Sequence, residues 1–213
     1  MSRGRFITFE GGEGGGKTTQ IARLKAALEA RGIVVLHTRE PGGTEGAEEI
    51  RHLLVTGDPG RWDPVTEALL NFAGRRDHVE RKIHPALTAG TWVLCDRFAD
   101  STRAYQGYGH GMDDDDIESL YRVAVGNLVP DLTLILDLPV EQGLHRAVHQ
   151  RGGSEDRYER MDKDFHQRLR DGFLDIARRD PKRCTIIDAS LEMDAVTKAI
   201  FKAVRDRLDL DLS

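Results

Sequence analysis

Gly11-Gly12-Glu13-Gly14-Gly15-Gly16-Lys17-Thr18 is the stretch on which the reading of this chain turns. It fits G-x-x-x-x-G-K-[ST] in full, and its flanks matter as much as the match. Before it, Phe6, Ile7 and Phe9 within Arg5–Glu10 read as a short buried strand. After it, Ile21, Leu24 and Leu28 fall on one face of a helix that Gly32 closes. A glycine-rich turn between strand and helix lets backbone N–H groups wrap a row of phosphates, and the helix N-terminus adds its dipole. Lys17 is then placed to reach β- and γ-phosphates, and Thr18 to hold Mg²⁺ through its hydroxyl. The pattern speaks for nucleoside triphosphate binding and leaves the reaction open.

Outward from this loop, apolar runs alternate with helical patterns. Further strands are expected at Ile33–Leu36, Thr91–Cys95, Leu132–Asp137 and Cys184–Asp188. Between them the spacing predicts a short helix ending near Val55 and a long one from Pro64 to Ala89, with Pro85 as a candidate kink. The acid run Asp113–Asp116 opens another helix, where carboxylates favour the dipole. Helices bearing Val140 and Leu144, Phe165 and Leu169, and Val196 and Ile200 complete the series. Continuous apolar strands alternating with helices imply a parallel sheet covered on both faces. The expected fold is α/β: one P-loop NTPase three-layer sandwich over residues 1–213, with a five-stranded parallel sheet flanked by helices and a mobile lid near 146–158. Ligands of such sheets bind beyond the carboxyl ends of the strands.

Composition narrows the classes. The chain has 213 residues, a net charge of −5, 22 glycines and 2 cysteines. Two cysteines make neither a disulfide framework nor a four-ligand zinc site. The longest stretch free of formal charge, Ile83 to Cys95, is far short of the ~20 residues a membrane helix needs. No secretory signal is read in the first residues, so the expected compartment is the cytoplasm. An acidic balance argues against a nucleic-acid partner but not against a basic pocket for a small anion. A guanine-type Asn-Lys-x-Asp sequence is absent.

Three further clusters follow predicted strands or share the long helix. Arg39-Glu40-Pro41-Gly42-Gly43-Thr44 ends strand two, where Arg39 and Glu40 are either site residues or a solvated ion pair. Asp96-Arg97 ends strand three. Asp96 is placed like a Walker-B acid that holds Mg²⁺ or its water, and Arg97 like a bidentate phosphate clamp; a strand-end salt bridge is the alternative. Phe72 and Arg76 lie four apart on the long helix, hence on one face. An aromatic that stacks on a base beside a donating guanidinium is a compact base reader, although the stripe Leu69, Phe72, Val79, Ile83 also suits core packing. In Gln150-Arg151-Gly152-Gly153-Ser154-Glu155-Asp156-Arg157, glycines permit movement and arginines can either meet a transferring phosphoryl group or pair with the neighbouring acids.

Together, Phe9-Glu10-Gly11 through Thr19, Arg39 through Thr44, Phe72…Arg76, Asp96-Arg97-Phe98 and Ser101-Thr102-Arg103-Ala104-Tyr105-Gln106-Gly107 resemble the thymidylate kinase family of the bacterial type, in the same order and over nearly the whole chain. The resemblance implies a homodimeric enzyme that phosphorylates dTMP to dTDP with ATP and Mg²⁺, on the route to dTTP. It implies that Gly11, Gly12, Glu13, Gly14, Gly15, Gly16, Lys17, Thr18 and Thr19 bind ATP, with Arg146 flanking the adenine. Phe72 would stack on thymine and Arg76 would bond its O4; Ser101, Thr102 and Gln106 would line the base pocket. Tyr105 would crowd the sugar, and Glu13 would accept from the deoxyribose 3′-hydroxyl or neighbouring water. Arg97, with Arg39 and Arg51, would hold the acceptor phosphate beside Glu40 and Pro41. Relatives without an arginine in the phosphate loop carry it on the lid, which here points to Arg151. The catalytic set is then Lys17, Asp96, Arg97 and Arg151. Val148-His149 is less basic than many lids, and His110 stands where an arginine is common.

Overall fold

Five strands form a single parallel sheet in the computed structural model of the chain, in the order β2-β3-β1-β4-β5. They are β1 Phe6–Glu10, β2 Val35–Arg39, β3 Trp92–Asp96, β4 Leu132–Asp137 and β5 Cys184–Asp188. The structure describes residues 3–150, 157–158 and 160–212, side chains excepted at 147–150. The helices are α1 Lys17–Ala30, α2 Glu45–Val55, α3 Pro64–His78, α4 His84–Thr88, α5 Ala99–Thr102, α6 Asp114–Ala124, α7 Val140–Gln150, α8 Lys163–Arg179 and α9 Met193–Leu208. This is the five-stranded parallel sheet flanked by helices that the alternating pattern predicts.

Alternation along β1 builds the layers. Ile7 and Phe9 pack with Leu24 and Leu28 of α1 and Ile200 and Val204 of α9. Phe6 packs on the other face with Val93, Ile83 and Tyr121. A third cluster joins Ile135 and Tyr105 to Phe165, Leu169 and Phe173 of α8. Every residue of β1 is buried, as expected of the central strand; each large apolar side chain so buried contributes roughly 1.5–3 kcal/mol. Among the described residues no helix is long and apolar enough to cross a membrane.

Two elements differ from expectation. The strand expected at Ile33–Leu36 begins two residues later. Gly32 takes a left-handed conformation (φ 74°) and Ile33 N–H returns to Leu28 O at 3.1 Å, so Ile33 belongs to the cap of α1. β2 then pairs Val35 with Trp92 and Arg39 with Asp96, which brings both strands to the same edge. The long helix runs from α3 to α4 but widens into a π turn over Val79–Ile83. Pro85 has no N–H for the carbonyl of Arg81 and its ring crowds that carbonyl, so the widened turn upstream makes room.

Candidate functional site

The turn between β1 and α1 is pressed against its neighbours. A Cβ on Gly11 (φ 121°) would lie 2.4 Å from Leu136 O, and one on Gly14 (φ 68°) would lie 2.2 Å from Gly143 O of α7. Lys17 Nζ donates to Gly12 O (2.8 Å) and Gly11 O (3.3 Å). Burial, and after it the charge of Arg97, pulls its pKa down to about 8. Thr18 Oγ1 donates to Asp96 Oδ2 at 3.3 Å. Among the described residues no cluster of three or more His, Cys, Asp or Glu could hold a metal by itself. A hydroxyl and a carboxylate side by side nevertheless suit Mg²⁺, which keeps several waters and takes substrate phosphate oxygens.

Arg97 has φ 68°, a left-handed conformation that costs a non-glycine residue roughly 1–2 kcal/mol. Its surroundings hold it there. Arg97 N–H donates to Phe9 O (2.9 Å), Cys95 Sγ–H donates to Arg97 O (3.0 Å), and Phe98 N–H donates to Glu10 Oε1 (2.7 Å). Glu10 also accepts from Ser101 Oγ at 2.6 Å. Burial, with the charge of Asp100 behind it, pushes the Glu10 carboxyl up to about 8. The Arg97 guanidinium reaches Glu13 Oε1 (2.6 Å), Gly11 O (2.9 Å) and Ser101 Oγ (3.3 Å), and lies over the ring of Tyr105. Tyr105 O–H donates to the same Glu13 oxygen at 3.0 Å. An acid from the phosphate loop and an arginine from the end of β3 thus meet at one point.

These groups line a cleft of about 480 Å³ at the carboxyl edge of the sheet. Glu13 through Thr19, Arg39, Glu40, Pro41, Arg51, Asp96, Ser101, Thr102, Gln106 and Arg146 line it too. Gly11 and Gly12 are not on its wall; their carbonyls accept from Lys17, and that of Gly11 also from Arg97. Arg146 Nη1 donates to Ala189 O (3.2 Å) beside Leu191, Met193 and Val196, an apolar end that suits a flat ring. Arg51 Nη1 donates to Pro41 O at 3.0 Å. Arg151 lies outside the described residues, as do residues 152–156 of the expected lid and the side chains of Val148 and His149.

The family model of thymidylate kinases matches residues 9–200. The chain belongs to the thymidylate kinase family. It is similar to the thymidylate kinase of Caulobacter vibrioides, with 58% identity over 99% of this chain and 100% of that one. A Bradyrhizobium thymidylate kinase is 55% identical over 97% of this chain and 92% of the relative. The crystal structure of thymidylate kinase from Ehrlichia chaffeensis matches with a TM-score of 0.78 at 37% identity, covering 95% of this chain and 99% of that one.

For a thymidylate kinase the base reader matters most, and here the structure departs from expectation. Phe72 is 3% exposed and packs in the core with Phe98 and Val79; it does not line the cleft. Arg76 turns outward, where it pairs with Glu80 (3.0 Å) and touches Ala124 O (3.4 Å). Asn71 and Arg75, also four apart, take the inward place. Asn71 lines the cleft. Arg75 is buried; it donates to Glu40 Oε2 (2.7 Å), Thr102 Oγ1 (3.0 Å) and Phe98 O (3.0 Å), with its guanidinium over the rings of Phe72 and Phe98. The reason is helical phase. One residue turns the helix by about 100°, and the buried stripe is Ala68, Phe72, Arg75, Val79 and Ile83, whereas Leu69 is 50% exposed.

Glu40 is therefore no partner of Arg39, which pairs with Glu48 at 2.9 Å in a solvated bridge. Its partners are Arg75 and His78. Arg157, read with the lid arginines, is fully buried instead. It donates to Leu54 O (3.1 Å), Asp58 O (2.8 Å), Pro59 O (2.7 Å) and the carboxylate of Glu67. Glu67 also accepts from Gln106 Nε2 (2.9 Å) and Tyr158 O–H (3.3 Å). Asn71, Arg75, His78, Glu67 and Tyr158 escaped the sequence reading. Only Glu40 carried a signal for some of them, because a carboxylate just past the end of a strand needs a cation once it is buried.

Proposed function

We propose that the chain transfers the γ-phosphoryl group of ATP to dTMP, giving ADP and dTDP, in the cleft at the carboxyl edge of β1 and β3. The meeting of Arg97 and Glu13 beside Lys17 and Thr18 carries this reading, because it puts a donor-phosphate loop and an acceptor-phosphate clamp in contact. The acceptor is already a phosphate anion near neutral pH, so no strong general base is required. The task is to hold two polyanions in line. Lys17 neutralises the β- and γ-phosphates, and Arg97, with Arg39 and Arg51, the acceptor phosphate. Arg151 is the proposed lid cation. Mg²⁺, held by the Thr18 hydroxyl and by Asp96 directly or through water, would spread the charge of the donor phosphates. Glu13 and Tyr105 face the deoxyribose; Ser101, Thr102 and Gln106 face the base. On α3, Asn71 takes the place at the cleft expected of Phe72, and Arg75, buried behind Glu40 and Thr102, takes the place expected of Arg76. Arg146 and the apolar wall at Leu191 and Met193 take the adenine.

The same reading makes the enzyme a cytoplasmic homodimer. Half-exposed Val65 and Leu69 on α3 and exposed Val123 on α6 suit a face between two copies, which sedimentation would weigh. The deciding experiment couples ADP release to added dTMP, with dUMP, CMP, AMP and thymidine as rivals. Fast turnover with dTMP alone is expected. ATP binding without transfer to dTMP would instead identify a nucleotide-sensing module.

A further inference from the structure

Thr38, His78, Glu40 and Arg75 form an unbroken hydrogen-bonded chain beneath the acceptor wall of the cleft. Thr38 Oγ1 and His78 Nε2 are 2.7 Å apart, and His78 Nδ1 lies 2.9 Å from Glu40 Oε1. Arg75 Nε donates to the other oxygen, Glu40 Oε2, at 2.7 Å. The His78 side chain is 0% exposed, and those of Glu40 and Arg75 are 4% and 2%. A buried imidazole on the inner face of a helix costs desolvation that an aliphatic side chain avoids, so its polar atoms need a task.

The backbone is shaped around this ring. Gly43 (φ 99°) follows the Glu40-Pro41 turn, and a Cβ there would lie 2.5 Å from His78 Nε2 and 2.8 Å from Thr38 Oγ1. With Glu40 ionised, Nδ1–H donates to it and Nε2 accepts from the Thr38 hydroxyl, which fixes tautomer and ring orientation together. Glu40 then has one oxygen on His78 and the other on Arg75, so its carboxylate plane is set. Arg75 spends three of its five N–H groups on Glu40, Thr102 and Phe98. Glu40 and Thr102 both line the cleft.

We infer that His78 is a positioning residue for the acceptor end of the cleft: by fixing Glu40 and, through the buried Arg75, Thr102, it sets the wall where the base of the acceptor nucleotide is read. The inference rests on the function proposed above. His78 itself touches no substrate. Its loss frees one Glu40 oxygen and lets the carboxylate and the guanidinium rotate, which loosens acceptor binding and leaves the ATP end and the phosphoryl step alone.

Steady-state kinetics of the full chain test it. His78→Leu is expected to raise KM for dTMP about tenfold, the order at which loss of an orienting outer contact weakens a site, with kcat and KM for ATP within about twofold. His78→Asn keeps an amide that can donate to Glu40 and is expected to restore most of the loss. Thr38→Val should give a smaller rise, and adding it to His78→Leu should cost nothing more, because both act through one chain. A folded His78→Leu with unchanged KM for dTMP overturns the inference. So does a parallel rise of both KM values with a lowered Tm, the mark of a merely structural histidine. If His78→Leu does not fold, Thr38→Val and His78→Asn decide: a selective rise in the first with near-normal kinetics in the second supports the inference, and no change in Thr38→Val overturns it. A wild-type enzyme inert toward dTMP overturns the proposed function along with it, whereas an active one with indifferent His78 and Thr38 variants overturns this inference alone.

Discussion

Lys17 carries a charge that its surroundings disfavour, and the consequence is a proton. Its pKa of about 8 lies below the usual 10.5. A bound triphosphate stabilises the ammonium and raises that pKa again. ATP binding is therefore expected to take up protons around pH 8, with full affinity below that pH and declining affinity as pH rises through it. Calorimetry in buffers of different ionisation enthalpy reads the uptake. Glu10, also near 8, titrates in the same window, so Lys17→Met is the control; uptake unchanged in that variant assigns the proton to Glu10. Lys17→Ala and Arg97→Ala are each expected to lower kcat about 10²–10³-fold, the cost of losing one charge-stabilising donor. Their circular dichroism should stay native. Near-normal turnover at saturating dTMP would remove both from the chemistry. On α3, Arg76→Ala should leave KM for dTMP unchanged. Arg75→Ala should raise it and also destabilise the fold by about 3–5 kcal/mol, because Glu40 stays buried without its cation. An affected Arg76 variant with a silent Arg75 variant would reverse the assignment of inner and outer arginine.

At the scale of elements, α7 meets the phosphate loop backbone to backbone. A Cβ on Gly143 would stand 2.6 Å from Glu13 O. Gly143→Ala must therefore push α7 away from the loop, and a several-fold rise in KM for ATP is expected; unchanged ATP kinetics would show that helix and loop move apart freely. This contact brings together residues distant in sequence, and such contacts mark the limit of what could be read in advance. Most strands were legible because they are largely apolar runs, and the phosphate loop because its glycines, lysine and threonine come in one block; β2, Val35-Leu36-His37-Thr38-Arg39, is the least apolar of the five. The phase of α3 was not. Leu69 looks like core but is half exposed, and the Arg75-Arg76 doublet offers two guanidinium groups of which only the three-dimensional packing selects one. The first strand residue of β2 was misread for a local reason, the cap that takes Ile33. Asp113, by contrast, does what an acid at a helix start is expected to do, accepting from Asp115 N–H at 2.8 Å.

Across the whole molecule, Arg157 and Glu67 join segments 90 residues apart. The pair ties the loop after α2 to the segment before α8 and, through Gln106, to the cleft wall. Arg157→Met strands the Glu67 carboxylate in the interior and is expected to cost about 3–5 kcal/mol in denaturant unfolding; a loss under about 1 kcal/mol would mean that water reaches Glu67. No composition reveals such a pair, because a single arginine near a glycine-rich loop reads as a surface cation. The net charge of −5 is equally silent about the site, since it describes the exterior while Lys17, Arg51 and Arg97 gather at the cleft. The thiol beneath Arg97 adds a use of its own. Cys95 is wholly enclosed, its proton is committed to Arg97 O, and burial raises its pKa well above that of a free thiol. Alkylating reagents can reach it only when the end of β3 opens. Its labelling rate is thus a built-in clock for breathing of the catalytic edge, and nucleotides that bridge the two phosphate sites will slow it.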